Sequence, residues 1–88
     1  MQQIVAIDLQ TAPGAVFTQF ISGVFCDGTV VATEYGPKAI VTYDPTGPSR
    51  QYEFHALGES QLVPDRGYLL GAFDTEEWGV LIFFVREI

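Results

Sequence analysis

The longest unbroken apolar run in the chain is VLIFFV, at residues 80–85. β-Branched and aromatic residues dominate it, and six residues are too few for a buried helix of ordinary length, so the run predicts a strand. Because strand side chains alternate between two faces, a strand that is apolar throughout needs cover on both sides. We expect that cover from a closed sheet or from a second subunit, since an exposed edge of this composition would aggregate.

A second apolar segment, residues 67–73, precedes this run, and the polar residues between the two segments predict a turn. The pattern therefore predicts an antiparallel hairpin in which Phe73 faces Val80 and both surfaces are apolar. Gly71 falls in the middle of the first strand of this hairpin. A glycine at such a position indicates a bulge or the close approach of another backbone.

The other strands are predicted from β-favouring runs bounded by glycine and proline, and they span residues 4–9, 29–35, 39–44 and 51–57. Asp27-Gly28 is a two-residue hairpin signal, so the segment before it is expected to fold back onto residues 29–35. A further hairpin is expected to pair Asp44 with Gln51, with Val41 and Phe54 on an apolar core face and Thr42 and Glu53 on the opposite, mostly polar face. Leu62 and Val63, in the connection that follows, are expected to pack against the mouth of the barrel.

Residues 13–22 fit two interpretations. The spacing of Val16, Phe17, Phe20 and Ile21 is typical of an amphipathic helix. The same residues have side chains that favour strands, and the hairpin signal just downstream supports a strand. Both interpretations stay open at this point.

These elements predict a mainly β fold: a small antiparallel barrel or roll of about six or seven hairpin-linked strands. With a helix near residues 13–22 the class would be α+β. Residues 1–88 are expected to form one compact domain, since a chain of this length builds a single core. The strand succession from Gly28 to Pro64 resembles the rhythm of SH3-like barrels, a resemblance that implies no function.

Composition narrows the class of protein and of partner. Hydrophobic residues make up 48% and charged residues only 17%, which excludes a disordered chain. Cys26 is the only cysteine, and no N-terminal run has the features of a signal peptide, so a cytoplasmic location is expected. No apolar run approaches the roughly 20 residues that span a bilayer. The net charge of −7 argues against direct binding of nucleic acid or of anionic membranes, and it favours a basic partner.

Few residues are candidates for chemistry. His55 is the only histidine, and Glu53 precedes it by two residues on the same face of a strand, where a carboxylate can orient the ring. Cys26 is next to Asp27, and a neighbouring carboxylate does not activate a thiol. The spacing of the potential ligands predicts no metal site, and no glycine motif predicts a cofactor.

Trp78 ends an acidic turn that contains Asp74, Glu76 and Glu77. An aromatic ring beside carboxylates can hold a cationic group by cation–π attraction and ion pairing together. We therefore count Trp78, Glu76 and Glu77, together with His55 and Glu53, as the candidate binding residues.

The excess of apolar residues on the terminal hairpin predicts a non-enzymatic binding protein that acts as a homo-oligomer, most simply a dimer. Leu69, Ile82 and Phe84 are the predicted interface residues, and the ligand expected at such a surface is a small apolar or cationic molecule. An alternative is an acidic inhibitor or decoy that docks on a basic protein, with Glu53 and the acidic turn on one continuous face. A second alternative is a small enzyme that uses His55 with Cys26 or Glu53.

Overall fold

Seven antiparallel strands form two sheets in the computed structural model, which describes residues 1–88 and contains no helix. The strands are β1 (Gln3–Asp8), β2 (Val16–Ile21), β3 (Val24–Thr33), β4 (Gly36–Asp44), β5 (Arg50–Leu57), β6 (Tyr68–Thr75) and β7 (Gly79–Glu87). One sheet has the order β1-β4-β3 and the other β2-β5-β7-β6. The predicted mainly β, antiparallel class is confirmed, and residues 16–21 form a strand rather than a helix.

The core lies between the two sheets and is made of apolar side chains, with no buried charged residue. The largest side chains that are almost completely buried are Phe54, Phe83, Leu81, Val41 and Val85. Phe17 of β2 stacks on Phe54 with ring centroids 5.2 Å apart. The hydroxyl of buried Tyr52 accepts a hydrogen bond from the Phe25 N–H at 3.0 Å, so its polar atom is satisfied. Full burial of each of these apolar core side chains stabilises the folded protein by roughly 1.5–3 kcal/mol relative to exposure.

The terminal hairpin forms between β6 and β7. Its predicted register holds where Leu69 faces Phe84, and it then shifts by one residue at a bulge between Leu69 and Gly71. A Cβ atom on Gly71 would lie 3.3 Å from the Cβ of Val30 in β3. The bulge and the close approach, which were alternatives for Gly71, therefore occur together. This contact joins the two sheets along the side where β3 and β6 meet.

The hairpin predicted at Asp27-Gly28 is wrong, because β3 continues through both residues, with a bulge between Phe25 and Asp27. The chain instead turns at residues 34–35. Gly28 instead allows the two sheets to pack closely, because a Cβ atom there would lie 2.5 Å from Cδ2 of Leu70 on the opposite sheet. The Asp27 carboxylate accepts hydrogen bonds from the Gly28 N–H and the Tyr68 hydroxyl, which holds this part of the strand in place.

The hairpin predicted between Asp44 and Gln51 is also wrong. β4 pairs with β1 and β3, whereas β5 pairs with β2 and β7, so the loop between them crosses from one sheet to the other. The apolar faces of the two strands were correctly placed towards the core. They face each other across it instead of lying side by side.

Residues 58–67 cross over β7, because β5 and β6 run in the same direction on either side of that strand. The end of this connection lies on Phe84: a Cβ atom on Gly67 would be 3.2 Å from its Cδ2 atom. Leu62 and Val63 are exposed, Leu62 at 91%, so the prediction that they pack against the barrel mouth is wrong. The close contacts of this segment are made by Gly67 with Phe84 and by Gly58 with Pro13 instead.

Candidate functional site

The side of the four-stranded sheet that faces away from the core carries most of the candidate residues, and we call it the outer face. Its side chains are Val16, Thr18 and Phe20 of β2, Glu53 and His55 of β5, Val80, Ile82, Phe84 and Arg86 of β7, and Leu69, Ala72 and Asp74 of β6. One row across all four strands contains Val16, His55, Phe84 and Leu69, each opposite the next. The predicted interface residues therefore share one surface with His55 and Glu53.

Apolar side chains remain exposed on and around the outer face. Leu69 is 56% exposed, whereas Ile82 and Phe84 are half-buried, Phe84 beneath the crossing segment. The other exposed apolar side chains of this region are Val16, Phe20, Leu62, Val63, Trp78 and Val80. Contiguous apolar surface is uncommon on monomeric proteins and is typical of interaction sites.

An ion-pair cluster lies in the middle of the outer face. Arg86 Nε is 2.6 Å from Glu53 Oε1, and His55 Nε2 is 3.3 Å from the same oxygen. The hydrogen bond from Arg86, and to a smaller extent that with His55, holds the pKa of Glu53 below its ordinary value. Glu53 is thus kept as an anion that fixes the histidine ring, which is only 14% exposed at its side chain. This arrangement orders the surface around Phe84 and Val16.

The arrangement brings His55 together with Glu53 but not with Cys26. Cys26 is exposed in the three-stranded sheet, where its thiol donates to the Val24 carbonyl oxygen at 3.5 Å. His55 belongs to the other sheet, and the two side chains share no hydrogen bond. The carboxylate that His55 contacts is already bound to Arg86. The geometry therefore assembles no nucleophile beside the histidine.

Trp78, Glu76 and Glu77 lie at one end of the sandwich, in the turn between β6 and β7. A cavity of about 390 Å³ separates this turn from Pro37 and Thr11. The turn is held by Thr75, whose hydroxyl accepts from the Trp78 N–H and donates to the Gly79 carbonyl oxygen, both at 2.9 Å. Trp78 is about half exposed and lies beside the carboxylates that were predicted to accompany it.

Six of the eleven carboxylates lie at this end, which we call the acidic end. They are Asp8, Glu34, Glu59, Asp74, Glu76 and Glu77. Lys38 is the one basic residue there, so the acidic end carries −5 of the total charge of −7. The five other carboxylates share the rest of the molecule with Arg50, Arg66 and Arg86, which leaves −2.

Glu53 lies away from the acidic end. It faces Arg86, which lies six positions along β7 from Val80 at the turn, about 20 Å at the rise of an extended strand. Asp74 lies on the outer face with Glu53 but at the other end of the strands, opposite Val80, so the prediction that Glu53 and the acidic turn form one continuous face is wrong. Asp8, Glu34 and Glu59 join the acidic turn instead, because the strand register brings their distant positions to the same end.

The opposite end of the sandwich has a depression of about 270 Å³ that the sequence did not indicate. Phe25, Tyr52 and Tyr68 form its aromatic wall, and Arg66 lies at its rim. Phe25 and Tyr68 meet edge to face at 5.0 Å. The Tyr68 hydroxyl donates to Asp27, which lowers the pKa of that carboxyl group and raises the pKa of the tyrosine.

Comparison with protein-family models, with curated proteins and with solved structures finds no significant match for this chain. No helix is long and apolar enough to cross a membrane. No group of three or more histidine, cysteine or acidic side chains is arranged to hold a metal ion. Any functional argument for this protein therefore rests on its own surface.

Proposed function

We propose that the protein is a non-enzymatic interaction protein that self-associates through the outer face of its four-stranded sheet. The observation that carries this proposal is the exposure of apolar side chains on both flanks of that face, with Val16 and Phe20 on β2 and Leu69 on β6. Burying such surface against a second copy removes it from water without any further ligand. The ordered cluster of Arg86, Glu53 and His55 adds polar groups between the two apolar flanks.

Light scattering over a concentration series tests this proposal. We expect the mass of the native protein to rise from that of a monomer towards that of a dimer or larger oligomer. Phe20→Glu places a charge on the apolar flank formed by β2 and should weaken the association. Val31→Glu is the matched control, because Val31 is a partly exposed apolar residue of the three-stranded sheet. A native protein that stays monomeric at every concentration would contradict the proposal.

A second candidate function is docking of the acidic end on a basic protein surface. Its support is the unequal distribution of charge, with −5 at the acidic end and Trp78 among the carboxylates. Such a contact would gain its association rate from electrostatic attraction and its hold on a lysine or arginine from the indole ring.

Binding to a lysine-rich polypeptide, measured at increasing salt, tests the second candidate. The affinity should fall with salt, because ions screen charges at the surface. Glu77→Gln should weaken binding more than Asp65→Asn, which removes the same charge outside the acidic end. Equal effects of the two substitutions would show that the total charge, and not the acidic end, attracts the polypeptide.

A further inference from the structure

The two sheets have four edge strands, which differ in how well they are protected from pairing with a strand of another molecule. β3 and β6 each contain a bulge and pack against each other through Val30 and Gly71. β1 ends in Asp8, which pairs with Lys38. β2, at Val16–Ile21, has the sequence VFTQFI, without a charged residue, a proline or a bulge. It therefore lacks the features by which proteins keep an edge strand from pairing with another strand.

The free edge of β2 offers backbone groups at alternate residues. The Ala15 carbonyl oxygen accepts from the Ala56 N–H at 2.9 Å, which makes the odd-numbered residues the ones that bond to β5. Val16, Thr18 and Phe20 consequently direct their N–H and C=O groups away from the sheet. The side-chain amide of Gln19 donates to the Phe20 carbonyl oxygen at 3.3 Å, as expected for an oxygen that β5 does not use.

This edge is complementary to a second copy of itself. With Thr18 on a twofold axis, an antiparallel pair of β2 strands would place Val16 opposite Phe20 of the second copy. The three free residues of each strand could then exchange six backbone hydrogen bonds, two at each of three directly opposed pairs. Val16 is 48% and Phe20 65% exposed, and an aromatic side chain opposite a β-branched one is a favourable cross-strand pair.

The charge distribution favours the same arrangement. An antiparallel pair brings the acidic end of one copy beside the opposite end of the other, whose part of the molecule carries Arg50, Arg66 and Arg86 and a net charge of only −2. A parallel pair would bring together two ends of charge −5 each. We propose that the protein forms a symmetric dimer by pairing β2 with β2 of a second copy, centred on Thr18, so that two four-stranded sheets join into one of eight strands. This proposal rests on the self-association proposed above; it places the contact at the β2 edge of the outer face, with Val16, Thr18 and Phe20, and leaves Leu69 of β6 outside the contact.

A charge at the twofold axis tests the strand. Thr18→Lys should raise the dimer dissociation constant by about tenfold or more, because the two introduced ammonium groups would face each other across the axis. Thr29→Lys makes the same change at an exposed threonine of the three-stranded sheet and should leave the constant unchanged. Circular dichroism of both variants establishes that they are folded. A folded Thr18→Lys variant that dimerises like the native protein would overturn the proposal.

Disulfide trapping tests the register, in a Cys26→Ser background that leaves no other thiol. Thr18→Cys should form a covalent dimer under mild oxidation, because directly opposed residues bring their Cα atoms within disulfide range. Phe20→Cys should not, since four residues, about 13 Å, separate it from its own symmetry mate. Trapping at Phe20 without trapping at Thr18 would overturn the register.

These measurements separate this proposal from the one on which it rests. If the native protein dimerises and Leu69→Glu weakens the dimer while Thr18→Lys has no effect, the pairing of β2 is wrong and self-association through the outer face stands. If the native protein is a monomer at every concentration, both proposals fail.

Discussion

Side chains of the same type have different roles at different positions in this protein. Phe54 is buried at 1% exposure beneath Phe17, whereas Phe20 on the neighbouring strand points to solvent. The alternation of side chains along each strand predicts the buried set of β5, whose other face is mostly polar. It does not do so for β2 and β7, where apolar residues occupy both faces.

Replacing the two phenylalanines by alanine should separate their roles. Phe54→Ala removes a packed core ring and should lower the free energy of unfolding by about 3–5 kcal/mol. Phe20→Ala should change it by about 0.5 kcal/mol or less, as at other exposed positions. Denaturant unfolding of both variants, at a concentration where the protein is monomeric, measures the difference. Similar losses would mean that the outer face is as well packed as the core.

Glu53 predicts a pH dependence at the scale of one residue. Its pKa is lowered in the folded protein from 4.5, mainly by Arg86, so its contribution to stability is present above that value and is lost as pH falls through the lowered pKa. Glu53→Gln should therefore lower the free energy of unfolding at pH 7 by about 0.5–1 kcal/mol, as for a partly exposed ion pair. The difference between variant and native protein should disappear in acid. An equal loss at both pH values would contradict the assigned role of the charge.

At the scale of elements, the strands were predicted better than their partners. Five of the seven strands lie where β-favouring composition and turn residues place them; β2 was left undecided by its helix-like spacing, and β3 was divided by the turn predicted at Asp27-Gly28. The turn predicted at Asp27-Gly28 failed because glycine is used both in tight turns and where a neighbouring side chain packs against the backbone. Only the position of Leu70 on the opposite sheet shows that close packing is the reason for Gly28. The pairing of Asp44 with Gln51 failed because a polar loop joins neighbouring strands and opposite sheets equally well.

The sequence predicted on which strand and face each candidate residue lies, but not how the strands bring these residues together. Leu69 and Phe84 were assigned to one face from the hairpin alone, and His55 to a strand beside Glu53. That these two sets share a surface depends on β5 lying next to β7, which the sequence does not indicate. The edge position of Thr18 is likewise a property of sheet order.

The turn from β2 to β3 gives a prediction at this scale. Gly23 has φ +154°, and a Cβ atom there would lie within 3 Å of backbone atoms of Asp44 and Pro45. Gly23→Ala should lower the free energy of unfolding by about 3 kcal/mol or more, from backbone strain and overpacking together. Gly47→Ala shares the positive φ, +102°, but meets open space, and should cost about 1 kcal/mol. Thermal or denaturant unfolding compares the two, and equal losses would refute the role of the contact.

At the scale of the whole molecule, charge and apolar surface act against each other. The net charge of −7 keeps copies apart, while exposed apolar residues on the outer face favour contact. The conflict between repulsion and apolar attraction can be predicted from composition, since the chain has few charged residues and many apolar ones. The concentration of negative charge at the acidic end cannot be predicted in this way, because it depends on strand order bringing distant carboxylates together.

This balance should shift with pH. Near the isoelectric point of about 4.2 the repulsion vanishes, and we expect light scattering to rise to a maximum there. Leu69→Lys should reduce that maximum, because it interrupts the apolar surface. The control Thr29→Lys makes a similar change of charge away from the outer face. If both variants lower the scattering equally, charge alone governs the effect.

The order of the strands has a consequence for how the chain folds. Only β3–β4 and β6–β7 are joined as hairpins, while three of the other connections pass between sheets and one crosses over β7. Most native pairings therefore require closure of long loops before they gain any stabilisation, which slows folding to the range of about milliseconds to seconds typical of such topologies. We expect the two hairpins to form early and β2 to pair late. During that interval its uncharged edge is exposed to other chains in solution. The yield of refolded protein should therefore fall as protein concentration rises.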